Sequence, residues 1–222
     1  MTVGTTTPAP SFTGDFEAHV TVRATAPDEV SAIERYAAAR SVKFAHIVLN
    51  RGRTPSQPML TLRSSGALPA VREAVAGVVR GVRDAGFAVV RVKIEAAPWA
   101  EGVPESDEAA VALGAGYYFE HHIKLLLPSG ADVAALARLA TGHSAHLSRN
   151  ARRVRADGRA ERFVTQRCHA VGRRTAGARL DALVAAVRAD GYDMASVERE
   201  FVVHDSDESL DAGWIVEEGT GL

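Results

Sequence analysis

Two short stretches of this chain carry the same chemistry-bearing residues. Phe16-Glu17-Ala18-His19-Val20 recurs as Phe119-Glu120-His121-His122-Ile123, so a carboxylate stands two residues before an imidazole in each, 103 residues apart. Imidazole gives and takes protons near neutrality, and a carboxylate beside it orients the ring and stabilises its charged form. Ala45-His46, followed by Asn50 and Arg53, recurs as Ala145-His146, followed by Asn150 and Arg153, 100 residues on. Thr61-Leu62-Arg63 recurs as Thr165-Gln166-Arg167 at 104, and Val82-Arg83 with Gly86-Phe87 recurs as Val187-Arg188 with Gly191-Tyr192 at 105. Threonine hydroxyls bind equatorial oxygens, and an arginine fork grips two oxygens of an anion. Four blocks in one order at a nearly constant offset are an internal duplication whose halves differ in loop length.

The elements that must position these residues follow from periodicity. Phe16 to Arg23 alternates apolar and polar as a strand does. Pro27 and Asp28 open an amphipathic helix to about Arg40, with Asp28 and Glu29 favourable in its first turn. Lys43 to Leu49 and Met59 to Arg63 read as strands around a Gly/Pro-rich turn. Ala67 to Ala85 reads as a helix ending at Gly86, and Val89 to Glu95 as a last strand. The order is β-α-β-β-α-β, the ferredoxin-like unit. The second half repeats it, with strands near 117–127, 144–149, 161–169 and 197–204 and helices near 131–142 and 176–190. The expected class is α+β with two ferredoxin-like modules, 15–97 and 117–216, whose open sheet faces line a shared cleft. Residues 98–116 read as a linker and 1–14 as a disordered N-terminus.

Side-chain parity assigns the open faces. If Phe16, Ala18, Val20 and Val22 face the helices, then Glu17, His19, Thr21 and Arg23 face the other way, joined by Arg91, Lys93 and Glu95 from the last strand and by Thr61 and Arg63. His46 joins them if Ala45, Ile47 and Leu49 are core, although Phe44 and Val48 suit the opposite parity. The second module offers Glu120, His122, Lys124, His146, Thr165 and Arg167, with His169 and Glu200 as candidates. Solvated sheet surfaces are the plainer alternative.

The favoured expectation is an enzyme acting on a small phosphorylated or otherwise anionic molecule. His19 and His122 would serve as acid and base, supported by Glu17 and Glu120, and Arg63 and Arg167 as clamps. Thr21, His46, Arg53, Thr61, Lys124, His146, Arg153 and Thr165 are further binding candidates. Arg51, Arg149, Arg152, Arg155 and Arg159 crowd the same turns and suit a solvated face equally well. His19-Val20-Thr21-Val22 resembles the His-x-Thr motif of the two-histidine phosphoesterases, which are duplicated and bilobal. That resemblance implies hydrolysis of a phosphodiester by paired histidines. Lys124 departs from it, standing where Thr or Ser is expected after His122. Glu120-His121-His122-Ile123-Lys124 resembles more loosely the Glu-x-Glu-x-Lys strand of triphosphate tunnel enzymes, in which acids hold a divalent metal, with His122 replacing the middle Glu.

Two other readings stand beside it. Glu17, His19 and His46, or Glu120, His122 and His146, have the residue types that ligate Zn, Fe or Mn, as in a metal-dependent lyase or oxygenase. The cofactor is therefore either none or a divalent metal. A non-catalytic ligand-binding module is the third reading, and its signature would be an apolar cleft. Cys168 falls on the core side of its strand and reads as an inert buried thiol. Trp99 and Trp214 each follow the last strand of a half, as packing plugs or stacking lids.

Of 222 residues, 46% are hydrophobic, enough for a normal core, and 26 lysines and arginines balance 27 acids. No overall field therefore favours nucleic acid or an anionic membrane, and the expected partner is a small anion. There is no spanning apolar run and no basic-then-apolar leader, which with a single cysteine suits a cytoplasmic protein. The Arg, Ala and Val bias suits a high-GC bacterial genome. There is no Gly-rich phosphate loop, no Gly-x-Ser-x-Gly elbow and no Cys-x-x-Cys pair, which disfavours P-loop hydrolysis, elbow-serine hydrolysis and zinc ribbons.

Overall fold

The computed structural model describes residues 10–152 and 155–215. Its first module runs β1 (Thr13–Val22), α1 (Pro27–Ala38), β2 (Lys43–Leu49), β3 (Ser56–Ala67), α2 (Leu68–Asp84) and β4 (Val89–Ala96). A short α3 (Asp107–Leu113) leads to the second: β5 (Tyr118–Leu127), α4 (Val133–Gly142), β6 (Ala145–Asn150), β7 (Ala160–His169), α5 (Arg173–Ala189) and β8 (Met194–Asp205). The chain is thus an α+β duplication of two ferredoxin-like modules. Its helix ends repeat as well. In α1 the Glu29 carboxylate accepts from the Thr25 and Ala26 backbone N–H at 2.6 and 3.0 Å, capping a terminus that offers no capping side chain of its own. Ser41 and Ser144, after α1 and α4, both take left-handed φ values, 55° and 52°. Gly86 and Gly191 do so after α2 and α5, at 86° and 76°.

The two four-stranded sheets do not simply face one another. They join edge to edge into one closed barrel in the order β1-β3-β2-β6-β7-β5-β8-β4. One seam pairs β2 with β6, Ile47 opposite Asn150 and Leu49 opposite Ser148. The other pairs β4 with β8, Lys93 opposite Asp205 and Glu95 opposite Val202, with a register shift between Ile94 and Glu95. Closure leaves neither module an exposed sheet edge. Every pairing is antiparallel, so β1 and β5 run in opposite senses and the modules are related by a pseudo-twofold across the barrel.

The apolar sides of the strands point outward to the helices. Phe16, Ala18, Val20, Leu60 and Ile94 pack with Val71, Val75 and Val82 of α2, and Ile123, Leu125 and Val164 pack with Leu180, Leu183 and Val187 of α5. The first core crosses the module boundary, taking in Phe119, Cys168, Phe201 and Val203. The remaining, polar parity is therefore turned inward. An eight-stranded barrel has an interior that side chains fill or that holds one small ligand.

Two outlines differ from the sequence reading. Phe12 is buried and β1 begins at Thr13, so the ordered chain starts before residue 15; residues 1–9 lie outside the described part, as does 216. The segment expected as a linker contains α3, capped by Ser106 Oγ accepting from Ala109 N–H. Cys168 is fully buried, its thiol pushed up by burial. Among the described residues no helix is long and apolar enough to cross a membrane.

Candidate functional site

Inside the barrel the two modules set out the same constellation. His19 Nδ1 lies 3.1 Å from Thr61 Oγ1 on the neighbouring strand, and His122 Nδ1 lies 2.9 Å from Thr165 Oγ1. The other ring nitrogen meets carboxylates: His19 Nε2 is 3.0 Å from Glu95 and 3.8 Å from Glu17, and His122 Nε2 is 3.2 Å from Glu120 and 3.4 Å from Glu200. Burial works against charging His122, but hydrogen bonds and charge from Glu120 and Glu200 prevail and push it up to about 10. Glu200, half-buried and close to Glu95, is raised.

Around this pair runs a buried ionic network. Lys93 Nζ sits between Glu95 and Glu120 at 2.6 and 2.5 Å. Burial would raise Glu95, yet the Lys93 ammonium and His19 together outweigh it and hold Glu95 down at about 2. Arg167 pairs with Glu120 and Asp211, and Arg91 with Asp205 and Asp211. Tyr118 adds a hydrogen bond to Asp205 at 3.0 Å. Asp211 ends a 3-10 turn, Glu208–Asp211, that follows β8 and closes this end of the barrel. Gln57 also donates to Asp211, at 2.8 Å. Just beyond, Trp214 donates Nε1–H to Leu147 C=O at 2.9 Å and is buried.

The opposite end is open. Arg63 and Lys43 are exposed there and pair with Glu17 at 2.8 and 3.6 Å, and the vestibule is shared by Glu17, Arg63, Glu198, Glu200 and the exposed Trp99. The barrel thus encloses a blind cavity of about 210 Å³. Its walls are unlike. Strands β1, β4, β5 and β8 present most of the charges, joined by Lys43 of β2 and Arg167 of β7, whereas Ala45, Ile47, Leu49, Met59 and Phe163 make an apolar wall on β2, β3 and β7. Lys124 lies on the cavity with its ammonium 5.3 Å from the Phe163 ring centre.

Of the residues singled out by sequence, Glu17, His19, Thr21, Thr61, Glu120, His122, Lys124, Thr165 and Arg167 line this cavity. Others diverge from the expected placement. His46 is on the outer face: Lys43, Ala45, Ile47 and Leu49 point inward, and His46 bonds Ser56 at 2.8 Å. The apparent match of His46 with His146 is out of phase. Lys43 and His146 each stand opposite the threonine that meets a histidine, Thr61 and Thr165, so Lys43 is the true counterpart of His146. His146 contacts Arg51 at 3.1 Å; burial and the arginines lower it to about 4 and keep it neutral. Arg63, expected as the twin of Arg167, lies at the exposed mouth. Arg53 is exposed and contacts the closing turn through its backbone, donating N–H to Ala212 C=O at 2.9 Å. Arg153 lies outside the described residues. His169 stacks on Tyr118 at 4.5 Å. Sequence reasoning placed Glu95 and Glu200 on the inner face by alternation on β4 and β8 but gave them no role, and it left out Lys43 and Glu198 altogether. Asp211 carries no such signal, because it follows the last strand.

No family model matches the chain, and no curated protein matches it. Among solved structures it is similar to the regulatory subunit of aspartate kinase from Thermus thermophilus (13% identity, 79% of this chain and 94% of that one, TM-score 0.32). It is also similar to the acetolactate synthase small subunit from Thermotoga maritima (13%, 85% and 94%, 0.28) and to chlorite dismutase from Candidatus Nitrospira defluvii (12%, 90% and 93%, 0.27). The resemblance to two-histidine phosphoesterases is not sustained: the matched structures are of other kinds. The geometry agrees, since each histidine meets a threonine of the neighbouring strand, Thr61 or Thr165, and not the motif's own Thr21.

Proposed function

We propose that this chain is a ligand-binding barrel that takes one small organic anion into its interior. The observation that carries the reading is the two-sided blind cavity: an apolar wall to cover a ligand's body faces a wall of hydrogen-bonding groups that can fix a polar head. The buried arginines do not serve as free anion clamps, because Arg91 and Arg167 are matched to carboxylates of the chain itself. Recognition of the ligand's charge falls to Lys43 and Lys124, the two lysines toward the open end, with Thr61, Thr165 and the histidines bonding polar atoms farther in. This is binding without an assigned reaction, and the apolar wall supplies the signature that such a module needs.

Trp214 lines the cavity and Trp99 lies at the vestibule, so a Trp99→Phe variant leaves Trp214 as the sole indole reporter. That variant is screened against small mono- and dicarboxylates and phosphorylated metabolites by emission and melting temperature. A ligand at 100 times its Kd stabilises the fold by about 2.7 kcal/mol. Binding should be lost in Ala45→Phe, which fills the cavity, and weakened in Lys43→Met/Lys124→Met. A ligand bound equally by Ala45→Phe, or a panel without a hit, would sink the reading.

A further inference from the structure

We infer that the barrel also holds one divalent transition-metal ion, ligated by Glu95, His122 and Glu200 and presented to the cavity. These residues come from β4, β5 and β8, adjacent in the barrel, and one donor atom from each lies within 4.8 Å of the others. Among the described residues they are the one group of histidines, cysteines and acids so arranged.

Glu95 is 1% exposed, and neither of its oxygens accepts a hydrogen bond of good geometry; its neighbours are the Lys93 ammonium and His19 Nε2. One of its oxygens lies within 4.8 Å of a donor atom of His122 and of Glu200.

The pseudo-twofold also explains why there is one ion and not two. Glu200 stands opposite Glu120 as Glu95 stands opposite Glu17, so the two carboxylates are each other's counterparts and a mirrored site would need the same pair. Two carboxylate oxygens and one imidazole suit Mn(II), Fe(II) or Zn(II), and three protein ligands leave positions open. An oxygen of the organic anion would fill one of them; that clause rests on the cavity reading above, whereas the ion site does not.

The test is titration of the metal-stripped full chain with Co(II), followed by its visible absorption, with Mn(II) and Zn(II) by calorimetry, all without organic ligand. Stoichiometric binding is expected, lost in Glu95→Gln/Glu200→Gln by more than the roughly 10–100-fold typical of an outer-shell change, and unchanged in His46→Ala. Absence of binding by the wild-type chain, or a folded double variant that still binds like wild type, overturns the proposal. Should the double variant fail to fold, Mn(II) broadening of histidine ring resonances decides in the wild-type chain. Broadening of His122 and His19 before His46 supports the site, and uniform or absent broadening overturns it. Because no organic ligand is present, failure here is separable from failure of the cavity reading.

Discussion

Arg63 and Arg167 occupy matching positions in the duplicated sequence, yet they differ by the whole depth of the barrel. The Arg63 side chain is 80% exposed and pairs with Glu17, whereas that of Arg167 is 6% exposed and holds Glu120 and Asp211. Removing one partner of a buried pair leaves an uncompensated charge and costs about 3–5 kcal/mol, while an exposed pair contributes about 0–1 kcal/mol. Arg167→Met should therefore lower the unfolding free energy by roughly 3–5 kcal/mol in urea titration and Arg63→Met by under about 1 kcal/mol; equal losses would contradict this account. Parity in the sequence placed both arginines on the inner face, and did so correctly for His19, His122 and Glu200. It could not give depth, because what buries Arg167 is an aspartate from beyond the last strand. His46 was misplaced for a different reason. On a strand with apolar residues at both parities, alternation does not choose a face, and the repeated Ala-His pair suggested a correspondence that the strand register does not keep.

At the scale of elements, the closing turn and the segment after it combine features that no periodic pattern announces. Asp211 is buried, which would raise its carboxyl, but Arg167 and Arg91 hold it below the ordinary value of 3.8, and Asp205 is likewise lowered, chiefly by its hydrogen bonds with Arg91. A carboxylate depressed in the folded state contributes stability that is present above its unfolded pKa and lost as the pH falls through the folded value. Stability should then hold from neutrality to about pH 4 and decline below it, with Trp214 emission reporting release of the turn. Asp211→Asn should flatten that acid limb; an unchanged limb would mean that the turn does not contribute to it. The chain segment facing the turn imposes a steric condition. Gly52 has φ +114°, and a Cβ there would lie 3.1 Å from the Trp214 backbone nitrogen. Gly52→Ala should cost roughly 1–3 kcal/mol, the scale of one strained residue, read as a lowered melting temperature together with altered Trp214 emission.

For the whole molecule, the duplicated elements were legible as two modules, but their closure was not. Periodicity describes each strand's faces and says nothing about which edges pair, so the polar faces were expected to line a cleft between sheets, and the seams β2–β6 and β4–β8 emerged only in three dimensions. Closure changes the energetics. A separated module would expose two sheet edges and strand half of the Lys93, Arg91 and Arg167 ion pairs, since both acids of Arg91 and one of the two of Lys93 come from the other half. The apolar core is shared as well: Phe12 packs its ring 5.9 Å from Phe201, on the last strand of the other module. Small domains unfold in one step when no part can keep its contacts alone. The chain should accordingly show one calorimetric transition with matching van't Hoff and calorimetric enthalpies. Phe12→Ala, at an expected cost of about 3–5 kcal/mol for a buried aromatic, should move that single transition downward without splitting it. Two resolved transitions, with only the first displaced by Phe12→Ala, would mean that the modules fold independently and that the barrel seams contribute little to holding the interior charges in place.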